Sequence, residues 1–432
     1  LGEFEKAKSC YKKAIQIQPN NSAAYNNLGF VLKELGENQK AINCFEKAIE
    51  IQPNNLDALN NLGIAFNKSQ EFQKAINCYE KVIKIQPNYT VAHYNLGNVH
   101  KELGEHKNAI SCYEKAIQIQ PNNAAAYYNL GNTFYELKKY QQAIICYEKV
   151  IQINPNYIGV HNNLGNLYEE LADHEKAKSF YEKAIQIQPD NVEAYNNLGS
   201  LFKELGDHSN ALNYYQKVIQ IEPENLSSHW LLMNLFPIIY KNLQEIDIYR
   251  KKFENGIKKI NYLLDSQSQY TKKQLVNAIN SSTNFYLHYQ GRDVLALQQD
   301  YVYLIERITK KIYQEYHRKR KKNISSKYIK VGFISSFFRN HTVSKLFKNW
   351  ALKLDQKYFK RFVYYLDNKF DHITDEIREN VDNFFNHTDV EQLANQISKD
   401  NLDILIYLDI GMKPKIQILS SLRLAPIQCS TW

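Results

Sequence analysis

The stretch PNNAAAYYNLGNTFYELKKYQQAIICYEKVIQIN, residues 121–154, is one period of a pattern that runs through the first half of the chain. Proline recurs every 34 residues, at Pro19, Pro53, Pro87, Pro121, Pro155, Pro189 and Pro223. A Leu-Gly pair keeps the same period from Leu28-Gly29 through Leu62-Gly63, Leu96-Gly97, Leu130-Gly131 and Leu164-Gly165 to Leu198-Gly199. Between them stand an alanine (Ala41, Ala75, Ala109, Ala143, Ala177, Ala211) and an aromatic (Phe45, Tyr79, Tyr113, Tyr147, Tyr181, Tyr215). Glycine and alanine remove bulk where two helices approach, leucines and aromatics fill the gaps between pairs, and proline ends each second helix. A period of this length with this chemistry predicts stacked helix pairs.

The pattern resembles the tetratricopeptide repeat over residues 1–225. Six full units run from Ser22 to Asn225, preceded by the second helix of a seventh, Phe4 to Gln18. Leu1-Gly2 matches Leu35-Gly36 one period later, so the chain is expected to lack residues upstream. Because it opens on Leu1, its N-terminus says little about targeting.

Five of the six cysteines, Cys10, Cys44, Cys78, Cys112 and Cys146, occupy one repeat position. Equivalent positions in stacked helices lie at least roughly 10 Å apart, beyond the Cα separation of about 7 Å that a disulfide tolerates. With Cys429 remote, all six are expected to be free thiols in a reducing compartment. No Cys/His cluster suggests a metal. The net charge of +9 over 432 residues is modest and reads as a basic surface, not as a mark of nucleic-acid binding. No window approaches the roughly 20 apolar residues of a membrane span.

After Pro223 the period is read as broken. Segments 229–264 and 272–316 carry apolar residues at helical spacing, giving a helical connector over 226–326. Within it, His288 is expected to be a packed or capping residue. The basic run Arg318 to Lys322 is read as a solvated linker, not as a nuclear-localisation patch. From Lys327, strands are predicted at 328–334, 361–366, 402–408 and 426–429, with helices at 343–354, 374–382, 390–398 and 415–422. This alternation implies a parallel, doubly wound sheet over 327–432, with ligands meeting loops at the carboxyl ends of strands. Two polar loops fall there, 335–341 and 409–412.

Val331-Gly332-Phe333-Ile334-Ser335, Phe338-Arg339-Asn340-His341-Thr342, Leu408-Asp409-Ile410-Gly411-Met412 and Arg423-Leu424-Ala425-Pro426-Ile427-Gln428-Cys429 resemble successive motifs of the protein O-GlcNAc transferase family. The stretch Thr283 to Gly291 looks like the phrase that precedes the catalytic region in bacterial-type members. The resemblance implies an α-solenoid followed by a Rossmann-like lobe, the amino-terminal half of a GT-B glycosyltransferase. It implies transfer of N-acetylglucosamine from UDP-GlcNAc to Ser or Thr hydroxyls of proteins, inverting, without metal or cofactor, in the cytoplasm or nucleus. The second lobe, which supplies most of the nucleotide site in the family, does not precede Trp432. The chain as written is therefore expected to be a fragment, inactive alone.

Carried over, His341 matches the histidine lining the acceptor and sugar end of the cleft, as a candidate base or a substrate contact. Asp409 at a strand end would orient the sugar or a partner loop, or cap the following turn. Arg339 and Asn340 are weaker candidates. Asn27, Asn61, Asn95, Asn129, Asn163 and Asn197 stand immediately before the Leu-Gly pairs. A column of carboxamides offers a donor and an acceptor at each step to an extended peptide; equally, it could bond between helices and set repeat geometry. The same column is a feature of O-GlcNAc transferase repeats, which favours acceptor proteins bound as extended peptides. Two alternatives remain: another donor such as GDP-fucose, and a peptide-binding scaffold without catalysis.

Overall fold

The computed structural model describes residues 2–237, 239–266, 270–318 and 327–431. Leu1, Trp432 and positions 319–322 of the basic run lie outside them. The chain divides into two compact units, Leu1–Asn191 and Val192–Trp432.

The first unit is built of helices α1 (Gly2–Ile17), α2 (Ser22–Glu34), α3 (Asn38–Ile51), α4 (Leu56–Lys68), α5 (Phe72–Ile85), α6 (Thr90–Glu102), α7 (His106–Ile119), α8 (Ala124–Glu136), α9 (Tyr140–Ile153), α10 (Ile158–Glu170) and α11 (His174–Ile187). Even-numbered helices are the first of each pair. Asn21, Asn55 and Asn123 start three of them, their side chains accepting from the N–H of Ala24, Ala58 and Ala126 at 2.9–3.0 Å. Where tyrosine replaces this asparagine, at Tyr89 and Tyr157, a histidine inside the helix ties back instead. His93 Nε2 meets the Pro87 carbonyl and His161 Nε2 that of Pro155, each at 2.9 Å. Second helices end on an extended residue just before the proline, as at Gln52, Gln86 and Gln120.

The Leu-Gly pair works as its spacing predicts. A Cβ at Gly63 would stand 2.6 Å from Tyr79 Cε1, and one at Gly165 2.3 Å from Tyr181 Cε1. Each ring lies fully buried against the backbone of the preceding helix. All six cysteines are free, and burial pushes the thiol of Cys78 up to about 11.

The second unit opens with α12 (Val192–Glu204) and α13 (His208–Ile221), where Gly199 receives Tyr215 in the same way. The period then continues one helix beyond the expected break. In α14 (Leu226–Met233), Asn225 caps Ser228 N at 3.0 Å and His229 Nε2 lies 2.9 Å from the Pro223 carbonyl. These are the contacts of a first repeat helix. Two substitutions hid it: Met233 stands at the glycine position of Leu-Gly, and Pro237 follows closely. The missing glycine reappears across the contact, because a Cβ at Gly256 would lie 2.6 Å from Met233 Cγ. The small and large members of the pair have exchanged helices.

Helices α15 (Leu243–Asp265), α16 (Lys272–Ser281) and α17 (Leu295–Ile312) follow, with 3₁₀ turns at Phe285–Gln290 and Gln314–His317. Within the segment 229–264, α14 ends at Met233, shortly before Pro237, and α15 begins at Leu243. The lobe runs β1 (Ile329–Ser335), α18 (Thr342–Leu352), β2 (Phe359–Tyr365), α19 (His372–Asn380), β3 (Asn383–Asn386), α20 (Val390–Asp400), β4 (Ile404–Tyr407), α21 (Pro414–Ser421) and β5 (Ile427–Ser430). All pairings are parallel, in the order β3-β2-β1-β4-β5. This is the doubly wound sheet expected, with one short strand, β3, that the reading missed.

Val331, Phe333, Val363 and Tyr365 face a core closed by Val343 of α18 and Ile377 of α19. The opposite face, with Ile334, Tyr364, Leu405 and Tyr407, belongs to a larger core that also takes in Leu419, Tyr301, Ile260, Phe253 and Trp230. Helices α15 to α17 are thus part of the layer covering one face of the sheet. Polar bonds reinforce the junction: Tyr301 OH donates to Gln417 Oε1 (3.3 Å), and Gln417 Nε2 to Asn284 Oδ1 (3.4 Å). His288, expected to be packed or capping, is exposed. Among the described residues no helix is long and apolar enough to cross a membrane.

Candidate functional site

Strands β2 and β3 lie to one side of β1, and β4 and β5 to the other. The chain reverses its direction of winding between β1 and β4, so their carboxyl ends diverge into loops that leave a crevice. Both polar loops singled out in the sequence arrive there. Leu408 N donates to the Ile334 carbonyl at 3.1 Å, the last rung before the loops part.

Asp409 is the first residue past that rung and is fully buried. Its Oδ2 accepts from Ser336 N at 3.1 Å, tying the β4 loop to the β1 loop, while Oδ1 has no hydrogen-bond partner. Burial is the largest influence on this carboxyl and pushes its pKa up to about 7, against the bonds from Ser336 and Ser335 and the charge of Lys413. Unfolded, the group would titrate near 3.8. Between those values the folded protein keeps a proton that the unfolded chain has lost, so stability falls as pH rises and stays low above 7. Replacing Asp409 with asparagine should flatten the dependence of Tm on pH between 4 and 8, a span worth at most about 4 kcal/mol. Thermal melts across that range check it; identical slopes for both proteins would contradict it.

His341 is the N-cap of α18 and is half-buried. Its Nδ1 accepts from Val343 N at 3.2 Å, which in the neutral ring places the proton on Nε2. The imidazole stacks on Phe337, ring centroids 4.1 Å apart and planes at 14°. Partial burial, then the charges of Arg339 and Lys413, hold its pKa below the usual histidine value. In the neutral ring the edge away from the cap is then the Nε2–H donor.

Two cations frame the stack. The Arg339 guanidinium lies 5.7 Å from the Phe337 centroid and Lys413 Nζ 5.9 Å from it. Asn340 contributes its backbone, N donating to Asp371 Oδ2 at 2.6 Å; Thr374 Oγ1 bonds the Phe338 carbonyl at 2.7 Å. Phe337, Lys413 and Asp371 escaped the sequence reading. Lys413 precedes Pro414 at the start of a helix, a detectable signal for a strand-end loop; Asp371 acts from a distant segment and left none.

The amide column is a second candidate surface. In the first unit four of the column amides, Asn61, Asn95, Asn129 and Asn163, donate to the neighbouring repeat. Asn61 Nδ2 reaches Asn26 Oδ1 and Asn95 Nδ2 reaches Asn60 Oδ1, both at 3.0 Å. Asn129 Nδ2 bonds Tyr94 OH (3.0 Å) and Asn98 Oδ1 (2.9 Å); Asn163 Nδ2 bonds Tyr128 OH (3.2 Å) and Asn132 Oδ1 (2.7 Å). Geometry-setting bonds are therefore real, yet among the described residues no donor reaches Oδ1 of Asn61, Asn95, Asn129 or Asn163. Each keeps an acceptor for an outside N–H. Asn163 lines a pocket of 310 Å³ with Asn132, Tyr128 and Tyr135. Asn27 is exposed, and Asn197 in the second unit is half-buried and already bonded. Among the described residues no three His, Cys, Asp or Glu side chains group as metal ligands would.

Comparison with known proteins finds two kinds of family. Tetratricopeptide-repeat families match residues 1–36 and 97–138, 20–88 and 157–223, 78–111 and 124–157. The family described as glycosyl transferase family 41 matches residues 250–432. No curated protein matches. Among solved structures, MamA is 29% identical over 38% of this chain and 95% of its own, with a TM-score of 0.36. YrrB, described as a tetratricopeptide-repeat protein with an unusual peptide-binding site, is 24% identical over 43% of this chain and 95% of its own, TM-score 0.36. A mutant O-GlcNAc transferase of Thermobaculum terrenum is 18% identical over 63% of this chain, TM-score 0.43, and this chain spans 50% of that enzyme.

Proposed function

We propose, for this member of glycosyl transferase family 41 with tetratricopeptide repeats, that the whole protein transfers N-acetylglucosamine from UDP-GlcNAc to Ser or Thr hydroxyls of other proteins. The observation that carries the reading is the meeting of the His341 and Asp409 loops at the β1/β4 crevice. His341 would donate from Nε2 to a hydroxyl of the sugar or the acceptor, fixing its direction of attack. Arg339 and Lys413 would lend positive potential to a crevice that receives an anionic donor. Asp409 would act one step back, locking the two loops to each other. Inversion without a metal remains part of the proposal, as does action in the cytoplasm or nucleus.

The acceptor would be held by its main chain, its N–H groups donating to the vacant Oδ1 atoms of Asn61, Asn95, Asn129 and Asn163. Each such bond adds about 0.5–1.5 kcal/mol net. Substituting Asn95, Asn129 and Asn163 together by alanine should weaken acceptor binding about ten- to hundredfold, read by titrating an unstructured Ser/Thr-rich peptide. Unchanged affinity would dispose of the column's role.

Incubating the full-length gene product with radiolabelled UDP-GlcNAc, or separately GDP-fucose, and an acceptor protein tests the activity. Base-labile label from UDP-GlcNAc on Ser or Thr is the expected result. Label from GDP-fucose alone would replace the donor, and label from neither would leave a peptide-binding scaffold.

A further inference from the structure

Away from the crevice, a depression of 450 Å³ opens between α14 and α15. Both members of the exchanged pair, Met233 and Gly256, line it. Gly256 lets Met233 reach the α15 backbone, drawing the two helices together at that point. Lys251, Lys252 and Lys259 all project from α15 into the lining; at 100° per residue they fall within about a quarter of the helix circumference. Apolar side chains, among them Met233 and Leu232, make up much of the wall, with no aspartate or glutamate in it.

None of the three lysines makes an ion pair among the described residues. Lys252 Nζ sits 5.5 Å over the Tyr249 ring and Lys259 Nζ 5.1 Å over Tyr262, cation–π contacts in place of carboxylates. His229 lines the same wall, held uncharged by burial, with Nε2 committed to the Pro223 carbonyl. From the preceding helices His208 and Lys203 add to the field; Glu245 opposes it at His208. Burial alone draws Lys252 down to about 8.

We propose that this depression is a binding site for a phosphate monoester on an apolar stem. Three lysines lining one hollow, with no carboxylate in it, match the charge of a phosphate dianion, which lysine binds as a point charge. The apolar wall takes the stem. A carboxylate would leave most of the positive charge unanswered, and an extended polyanion would need a stripe of charge where these lysines share one hollow.

Calorimetric titration of the full chain with phenyl phosphate at pH 8 tests the site. Saturable binding is expected, at least tenfold tighter than inorganic phosphate and at least tenfold weaker in Lys252→Met and Lys259→Met, both of which keep the aliphatic stem and should keep the wild-type Tm. Repeating the titration in buffers of different ionisation enthalpy should show fractional proton uptake on binding, lost in Lys252→Met. A phosphotyrosine hexapeptide separates the two sources of such an ester: tighter binding than phenyl phosphate assigns a phosphorylated protein segment, weaker binding a free small molecule. No saturation by phenyl phosphate, or equal affinity in the methionine variants, would overturn the proposal.

Discussion

His341→Asn in the full-length enzyme is expected to lower sugar transfer about 10²- to 10³-fold, the usual cost of one well-placed donor at a reacting centre, while Tm stays where it was. The choice of asparagine separates the two jobs of the side chain. Nδ1 of His341 caps α18 by accepting from Val343 N, and asparagine is among the best N-cap residues because its Oδ1 can do the same. What asparagine cannot do is place a donor where Nε2 stands, at the far edge of a ring stacked 4.1 Å from Phe337. Alanine would confuse the issue by removing cap, stack and donor together. Steady-state label transfer alongside thermal melts reads both quantities. Transfer at the wild-type rate with His341→Asn would remove the side chain from the chemistry.

Trp230→Ala is expected to cost about 3–5 kcal/mol, the range for emptying a large aromatic site. Trp230 is fully buried in α14, its ring centroid 5.7 Å from that of Tyr301 and its Nε1 donating to the Ser282 carbonyl at 3.1 Å. The same core reaches through Phe253 and Tyr301 to Leu419 and to Tyr407 on the sheet. A cavity there loosens the layer against which the sheet is built, so the loss should appear in unfolding of the whole second unit. Trp230→Phe keeps the ring and leaves the Ser282 carbonyl unpaired, for about 1 kcal/mol. Urea denaturation measures both. A cost under about 1 kcal/mol for the alanine variant would mean that the α14 contact does not support the sheet.

The repeats were legible because one helix pair is written six times over, and the Gly-aromatic contact at Gly165 and Tyr181 is the same contact as at Gly63 and Tyr79. Where the contact reversed, with Met233 facing Gly256, the period went unseen although His229 kept the bond that His93 and His161 make. Strand β3 was missed for a different reason. Its four residues are bounded by Asn383 and Asn386, and it lies at the sheet edge, so no apolar run marks it. At the crevice, spacing located both loops, and a family resemblance selected His341 and Asp409. The proton position on the imidazole follows from a bond only two residues away, at Val343 N; the environment of Asp409 and the approach of Lys413 to Phe337 depend on contacts between segments about 70 residues apart. No local pattern encodes those.

Nitrogen-detected NMR of the His341 ring, titrated from pH 5 to 8, tests the account of the crevice most directly. The account predicts a neutral ring protonated on Nε2 at pH 7, with a pKa below the ordinary 6.5 of histidine. A proton on Nδ1, or a ring still charged at pH 7, would contradict it, because α18 would then lack its cap and the crevice its donor.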